Sequence, residues 1–339
     1  MNKQLSNLYW KISNLLESYL KQLRGGRGLL RSKKDDRDYL GLIEEPRKSP
    51  LEKVDWTKYW FDQKMYNICV FASFTMLMSN QNGIRFSTKW LVKCAKKEGY
   101  ISGNGWSFLK AVLKCSTKYG MLPYELMPDE IIENNFDEYS KWTPECNDFM
   151  KVAEDYKIEE YRKLTKESEI IQALDNGYLI FTALTWYSAM NSPQSPDYFL
   201  KSWGTQIGGH AIDLAGHRKY GADFLNPQTF GRDYGDNGSA WIEDVLKSYF
   251  FEKYIVSKLS PDTRFEHFTR FYNGKMVRTK ENPACYVIKN GGKYHVPTME
   301  LFFEVEKKIG KANIDLEVMA DMLDKVELKG DIIMPDTLL

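Results

Sequence analysis

Four side chains of this sequence are of the types that acyl transfer requires. Cys69 stands near the start of the apolar run ICVFASF, and Gln63 lies six residues before it. His210 follows two glycines in IGGHAIDLAG, and Asn226 ends the run ADFLN. A thiolate attacks a carbonyl carbon when a base takes its proton, a third group orients that base and donors hold the oxyanion. The sequence therefore offers Cys69 as a nucleophile and one candidate for each supporting role.

The elements expected around these residues assign the roles. Cys69 begins a predicted helix, where N–H groups and the positive end of the dipole favour an ionised thiol. His210 begins a β-prone run and is the predicted base. Asn226 ends the next run, held extended by Pro227, so its amide can accept the other ring N–H of His210. The Gln63 amide and the Cys69 backbone N–H are expected to form the oxyanion hole.

Each of these residues also has a structural interpretation. A cysteine in an apolar run is most often a small buried hydrophobe, and an asparagine before proline is often a turn residue. His217 is the alternative base, although seven residues along a β-like stretch would put it on the opposite face or past the strand end. The other two histidines, His267 and His295, are interpreted as incidental.

The predicted secondary structure changes from helices to strands near residue 155. Before it, STKWLVKCAKKEG predicts a helix with Ser87 as N-cap and Gly99 past its end, and SFLKAVLKCSTKYG predicts another between Ser107 and Gly120. After it, short β-prone runs bounded by Gly, Asn and Pro dominate, with one helical interruption at ESEIIQALDNG. A helical lobe is therefore expected before a strand-rich lobe.

Three segments are predicted along the chain. Residues 1–50 hold an amphipathic helix, with apolar residues at helical spacing between 5 and 23, and a basic linker. Residues 51–260 form the main domain. Residues 261–339 form a small accessory module with a hairpin in CYVIKNGGKYHVP, whose turn is Asn-Gly-Gly, and a polar helical tail. The helix and the module are the places expected to bind a protein partner.

Composition excludes several classes of function. The 339 residues carry 47 basic and 46 acidic side chains, so the net charge of +1 gives no general reason to expect nucleic acid or an anionic membrane as partner. No window has about 18 uninterrupted apolar residues, which predicts no membrane insertion and a cytoplasmic protein. Five cysteines without metal-ligand spacing predict free thiols, no disulfide framework and no metal or other cofactor.

The order of these motifs resembles that of the papain-like (C1-type) cysteine peptidases. The block of Gln63, Cys69 and VFASF is similar to the family's nucleophile block, and GGHA with the later Asn226 is similar to its second half. FSTKWLVKC, YGMLPYEL, ALDNGYLIFTAL and YGDNGSAWI follow in the family's order, over about residues 35–260. DDRDYL resembles the bacterial and phage branch that is poor in disulfides. The resemblance implies an α+β, two-lobe fold with a cleft between a helical and a strand-rich lobe.

The resemblance also implies a site and an activity. SGNGW is similar to the glycine-rich strand that pairs with substrate backbone, which implies Gly103, Asn104 and Gly105 as substrate-binding residues. The implied activity is that of a cysteine endopeptidase, which cleaves peptide or protein substrates through a thioester. The alternative is a catalytically silent papain-like scaffold with a binding or structural role, including one inside a phage particle.

Two further features of the family concern the N-terminal segment and the residues after Asn226. Its members often carry a leader over the cleft, which residues 1–50 would supply, unless that helix packs on the domain or on a partner. The family's Asn-Ser-Trp-Gly is replaced here by NPQTFG, so the tryptophan that screens the Asn–His hydrogen bond is missing and Phe230 is the expected cover.

Overall fold

A computed structural model gives the fold of the chain. It describes residues 29–30, 59, 61–63, 66–103, 105–129, 135–191, 202–218, 221–227, 238–241, 250–259, 261–279, 282, 284–310, 316–318 and 320–332. The chain divides into two compact units, Met1–Lys258 and Leu259–Leu339. The predicted helix at residues 5–23 lies outside the described residues, so its role stays a prediction, as do the three segment boundaries. None of the helices in the described ranges is long and apolar enough to cross a membrane.

The first half of unit one is helical, as the sequence predicts. Its helices, in chain order, are α1 (Cys69–Asn82), α2 (Thr88–Lys97), α3 (Leu109–Lys118), α4 (Phe136–Ser140) and α5 (Cys146–Ala153), with 3₁₀ turns at Tyr124–Leu126 and Glu154–Tyr156. Nearly all side chains of α1 are buried. A helix that is apolar on most of its faces packs at the centre of a domain, which explains the unbroken run after Cys69.

The two predicted N-caps have different outcomes. The Ser87 side chain accepts the N–H of Trp90, so the cap of α2 is confirmed. The predicted cap at Ser107 is wrong, because α3 begins at Leu109. Ser107–Phe108 is instead the strand β2, which pairs in parallel with β1 (Leu29–Leu30), and the Ser107 hydroxyl donates to a carbonyl oxygen in the preceding loop.

The second half of unit one is a six-stranded sheet in the order β3-β8-β4-β5-β6-β7. Its strands are β3 (Tyr161–Lys163), β4 (Ile180–Tyr187), β5 (Gln206–Arg218), β6 (Gly221–Leu225), β7 (Gly238–Trp241) and β8 (Phe250–Val256). Neighbouring strands pair antiparallel. The helix α6 (Glu167–Asp175) precedes β4, and a 3₁₀ turn, Ser188–Asn191, follows it. The change from helices to strands near residue 155 is confirmed.

The long strand β5 lies between β4 and β6 and packs against α1. Because side chains alternate along a strand, Ala211, Asp213 and Ala215 share one face. Phe181 of β4 is the neighbour of Asp213 on that face, and its ring meets Phe74 of α1 edge-on at 5.4 Å. The opposite face carries an apolar core that includes Leu184, Trp186, Ile212, Leu214, Phe224 and Ile255.

Unit two contains a five-stranded mixed sheet in the order β12-β9-β10-β11-β13. Its elements are α7 (Pro261–Phe271), β9 (Met276–Thr279), β10 (Cys285–Lys289), β11 (Gly292–Val296), α8 (Met299–Ile309), β12 (Leu316–Val318), α9 (Ala320–Lys325) and β13 (Glu327–Asp331). The hairpin is confirmed, with Asn290 and Gly291 at φ 49° and 75° in the two-residue turn. The expected helical tail is wrong in part, since β12 and β13 pair in parallel with β9 and β11.

Candidate active site

Cys69 is the first residue of α1 and is fully buried. Ile68 precedes it and has no polar side chain to cap the helix, and the first turn contains no acidic residue. The positive end of the helix is therefore not neutralised by a cap or a nearby carboxylate of its own first turn. Such a position stabilises a thiolate.

His210 and Asn226 are joined by a hydrogen bond. His210 lies in β5 and is buried, and Asn226 comes directly after the neighbouring strand β6. His210 Nε2 and Asn226 Oδ1 are 2.9 Å apart. Since an amide oxygen only accepts hydrogen bonds, this contact assigns the ring hydrogen to Nε2. Nδ1 is then the ring nitrogen that can take up a proton from a thiol.

Gln63 is tied to the same region by its backbone. Its N–H donates to the carbonyl oxygen of Pro227 at 2.8 Å, and Pro227 follows Asn226. Its side-chain Nε2 donates to the carbonyl oxygen of Tyr66 at 3.1 Å, which fixes the amide beside the loop that leads into Cys69. The segment before α1 and the end of β6 therefore lie side by side.

A second hydrogen bond joins the helix of the thiol to the strand of the imidazole. The Ser73 hydroxyl donates to Asp213 Oδ1 at 2.8 Å. Ser73 lies one helical turn after Cys69, and Asp213 lies three residues after His210. This bond joins α1 to β5, and the Gln63–Pro227 contact joins the segment before α1 to the residue that follows Asn226.

The glycine-rich turn lies against the residues that precede Cys69. Ser102 and Trp106 exchange backbone hydrogen bonds of 3.0 Å around it. Gly105 has φ +110°, and a Cβ there would lie 2.7 Å from Ile68 Cγ2, so the close approach requires glycine. Gly103 also has a positive φ, of 51°. Asn104, the third residue expected to bind substrate, lies outside the described residues.

Leu29 occupies a position that the sequence assigned to a linker. It is buried and pairs with Ser107 in the parallel β1–β2 ladder. A Cβ on Gly209 would lie 2.9 Å from the Leu29 carbonyl oxygen and 3.1 Å from its Cβ. Leu29 therefore contacts both the segment that follows the glycine-rich turn and the residue directly before His210.

Trp186 is a further residue of the site that the sequence interpretation missed. Its ring meets that of His210 edge-on, with centroids 4.8 Å apart and an interplanar angle of 78°. It is almost fully buried, and it comes from β4 instead of the segment after Asn226. No sequence signal indicated this contact, because it follows from the strand register: Leu184 is the partner of His210, and Trp186 lies on the same face of β4 as Leu184. Phe230, the cover expected from the sequence, lies outside the described residues.

The other histidines belong to other segments of the chain. His217 is paired with Ala222 near the far end of β5, about 23 Å along the strand from His210 at about 3.3 Å per residue. His267 and His295 belong to unit two. Burial, followed by the charges of two neighbouring basic residues, lowers the pKa of His267 to about 4. In the described part of the chain, no group of three or more His, Cys, Asp or Glu residues could hold a metal ion.

The remaining cysteines of unit one differ from Cys69 in their surroundings. Cys94, Cys115 and Cys146 are buried in the helical lobe. Burial raises the pKa of the Cys94 and Cys115 thiols, which disfavours their reactive form. These two residues are therefore suitable controls for substitutions at Cys69.

Comparisons with known proteins identify the fold. No family model matches the sequence, and no curated protein matches it. Among solved structures, xylellain, a cysteine protease from Xylella fastidiosa, matches with a TM-score of 0.58 and 17% identity over 70% of this chain and 97% of that chain. proCathepsin B S9 from Trypanosoma congolense matches with a TM-score of 0.52 and 14% identity over 71% and 89%. The predicted papain-like α+β fold is therefore confirmed.

Proposed function

We propose that the chain is a cysteine peptidase that cleaves peptide bonds through a thioester on Cys69. The observation that carries this proposal is the 2.9 Å hydrogen bond between His210 and Asn226. It orients an imidazole on the strand that packs against the helix of Cys69. The next residue, Pro227, anchors the loop of Gln63, so the four residues belong to one connected structure.

The first half of the reaction is acyl transfer. His210 Nδ1 takes the Cys69 proton, and the thiolate attacks the peptide carbonyl carbon, which forms a C–S bond and an oxyanion. The C–N bond then breaks, and the imidazolium gives its proton to the leaving amine. Asn226 holds the ring throughout, because it accepts from Nε2.

The second half is hydrolysis of the thioester. His210 takes a proton from water, the hydroxide attacks the acyl carbon, and the C–S bond breaks. The products are a carboxylic acid and the Cys69 thiol, which regains its proton from His210.

Gln63 is proposed as the side-chain donor of the oxyanion hole. One hydrogen of its amide is engaged by the Tyr66 carbonyl. This contact supports the proposal because it orients the amide and leaves the second Nε2 hydrogen for the oxyanion. Loss of one such donor lowers kcat by about 10²–10³-fold in other enzymes.

Residues 1–50 are proposed as a leader that restricts access to the site. The support is the buried position of Leu29, between Ser107 and Gly209. A charged side chain does not tolerate such burial, so Leu29→Asp in the full chain should release the segment. We expect this variant to hydrolyse protein substrates faster than the natural chain does.

Substitution of Cys69 tests the peptidase proposal. Hydrolysis of fluorescently labelled, denatured casein is measured for the full chain and for Leu29→Asp, each with Cys69→Ala. We expect Cys69→Ala to reduce hydrolysis to background, a loss of about 10⁴-fold or more. Cys94→Ala, the matched control, removes a buried thiol of the same lobe and should retain hydrolysis. Undiminished hydrolysis in Cys69→Ala would refute the assignment, and no hydrolysis in any chain would favour the silent scaffold.

A further inference from the structure

A carboxyl group lies in the middle of the six-stranded sheet, away from the reacting groups. Asp213 is fully buried, and its neighbours on the adjacent strands are Phe181 of β4 and Leu225 of β6. The polar group that faces it is the Ser73 hydroxyl of α1, which donates to Oδ1. Within the described part of the chain, Oδ2 has no hydrogen-bond partner. The mechanism of peptide hydrolysis does not use this carboxyl, so its presence among apolar residues needs another explanation.

The position of this hydrogen bond relates it to both reacting side chains. Ser73 is four residues after Cys69, about 6 Å along the helix at about 1.5 Å per residue. Asp213 is three residues after His210, about 10 Å along the strand at about 3.3 Å per residue. No other proposed reacting residue lies between Cys69 and Ser73 on α1 or between His210 and Asp213 on β5. The Ser73–Asp213 bond therefore joins the backbone that carries the thiol to the backbone that carries the imidazole.

We propose that Asp213 is a positioning residue of the peptidase: by accepting the Ser73 hydrogen bond it sets β5 against α1, and thereby His210 against Cys69. This role rests on the proposed function. Ala211 and Ala215 lie beside Asp213 on the same face, and their small side chains do not fix where the helix lies along the strand. The Phe74–Phe181 contact is apolar and tolerates sliding, whereas a 2.8 Å hydrogen bond defines one register.

A second anchor holds the other end of α1. Gln81 Oε1 accepts the N–H of Leu179, and Gln81 Nε2 donates to the carbonyl oxygen of Val256 at 3.4 Å. Gln81 is twelve residues after Cys69, about 18 Å along the helix. Loss of the Ser73–Asp213 bond should therefore leave the helix on the sheet and loosen the end that carries Cys69.

The surroundings of this carboxyl favour its neutral form. Burial raises the pKa of Asp213 well above its usual range, and the Ser73 hydrogen bond opposes this shift only in part. An uncharged Asn side chain has nearly the same shape and also accepts from Ser73. Asp213→Asn is therefore the conservative variant, and Asp213→Ala and Ser73→Ala are the disruptive ones.

The control is a second buried serine of α1. Ser79 accepts the N–H of Phe86 at 3.1 Å, and this bond lies within the helical lobe, away from β5. Ser79→Ala removes a buried hydroxyl from the same helix as Ser73→Ala does. The two variants should lose similar stability, and they should differ in the reactivity of Cys69.

The experiment measures the rate at which iodoacetamide alkylates Cys69 as a function of pH, by mass spectrometry of its peptide. It uses the full chain, with and without Leu29→Asp, and includes casein hydrolysis and thermal unfolding. A thiol that contacts an imidazole ionises at lower pH than a free thiol does, so its alkylation stays fast at acid pH. This low-pH part of the rate profile is called the acid limb. We expect Ser73→Ala and Asp213→Ala to move this acid limb toward neutral pH and to lower kcat by about 10–100-fold with KM nearly unchanged. Asp213→Asn and Ser79→Ala should keep the natural profile.

Two results would overturn the proposal in distinguishable ways. If the natural chain has an acid limb and Ser73→Ala keeps it unchanged, Asp213 has no positioning role, while the peptidase proposal stands. If Cys69 of the natural chain has no acid limb and no chain hydrolyses casein, the peptidase proposal fails and the positioning role fails with it. A profile that moves equally in Ser73→Ala and Ser79→Ala would also overturn the proposal, because the effect would then follow from lost stability alone.

Discussion

Unit one contains two serine–aspartate hydrogen bonds, Ser87–Asp129 and Ser73–Asp213, that lie in different surroundings. At the start of α2, Ser87 donates to Asp129, whose oxygens also accept the backbone N–H groups of Thr88 and Lys89. Between α1 and β5, Ser73 donates to Asp213, whose nearest neighbours along the sheet are apolar. The first carboxyl faces a helix N-terminus, and the second faces only one hydroxyl among the described residues.

The two carboxyl groups differ in how far their surroundings raise the pKa. Burial raises the pKa of Asp129 to about 6, with the N–H groups of Lys89 and Thr88 opposing the shift. Burial raises the pKa of Asp213 well above its usual range, with Ser73 alone opposing it. With a pKa of about 6, Asp129 is therefore mostly ionised near neutral pH and acts as a helix cap, whereas the surroundings of Asp213 favour its neutral form and it acts as a link. The number of donors, and not the residue pair, determines the role.

The largest effect on stability is expected at Asp129. Asp129→Ala removes the acceptor of two backbone N–H groups and one hydroxyl, and should lower the free energy of unfolding by about 2–3 kcal/mol. Chemical denaturation monitored by circular dichroism measures it. Asp129→Asn, which keeps an acceptor, should lose less. An Asp129→Ala variant as stable as the natural chain would show that these donors do not depend on the carboxylate.

The next effect is the pH dependence of stability at Asp213. Its folded-state pKa is raised, so the native state keeps a proton that the unfolded state releases above about pH 4. The stabilisation is complete below that pH and is lost as the pH rises through the folded-state pKa. Asp213→Asn cannot ionise, so its stability relative to the natural chain should increase with pH.

The corresponding variant at Asp129 sharpens this contrast. The raised pKa of Asp129 also makes the natural chain lose stability as the pH rises, but this loss ends near its folded-state pKa of about 6. Denaturation curves between about pH 4 and 9 should therefore show the difference between Asp129→Asn and the natural chain becoming constant above about pH 6. For Asp213→Asn the difference should grow until the pH passes the raised folded-state pKa of Asp213. Parallel curves for the two variants would contradict the distinction between cap and link.

The smallest effect is expected at Ser87. Ser87→Ala removes the side chain that caps α2 by accepting the N–H of Trp90, and it removes one donor to Asp129. It should lower the free energy of unfolding by about 1 kcal/mol. Casein hydrolysis and the pH profile of Cys69 should stay unchanged, since α2 carries no residue of the site. Ser73→Ala should lose similar stability and most of its activity. Equal activity losses in the two serine variants would remove the distinction between them.

The elements that carry the candidate residues could be predicted from local sequence patterns. An apolar run with Cys69 at its start predicts a helix there, and alternating runs predict the strands of His210 and Asn226. These signals act over a few residues. The papain-like fold was expected for a different reason, because the order of these motifs resembles that of a known family.

The contacts between distant segments could not be predicted. Ser73 and Asp213 are 140 residues apart in sequence, and although Asp213 interrupts an apolar run, no local signal indicates Ser73 as its partner. Leu29 lies in a basic stretch typical of a linker, and its pairing with Ser107 made the predicted cap at Ser107 wrong. Trp186 reads as an ordinary core residue until the strand register places it beside His210. In each case tertiary packing decided the outcome.

Cys69 is proposed as the thiol that His210 activates. The most direct test of this proposal is mass spectrometry of the full chain, with and without Leu29→Asp, after treatment with a peptidyl epoxide. We predict one adduct, on the peptide that contains Cys69, and its loss in His210→Ala. Labelling confined to other cysteines, or equal labelling of Cys69 in His210→Ala, would contradict it.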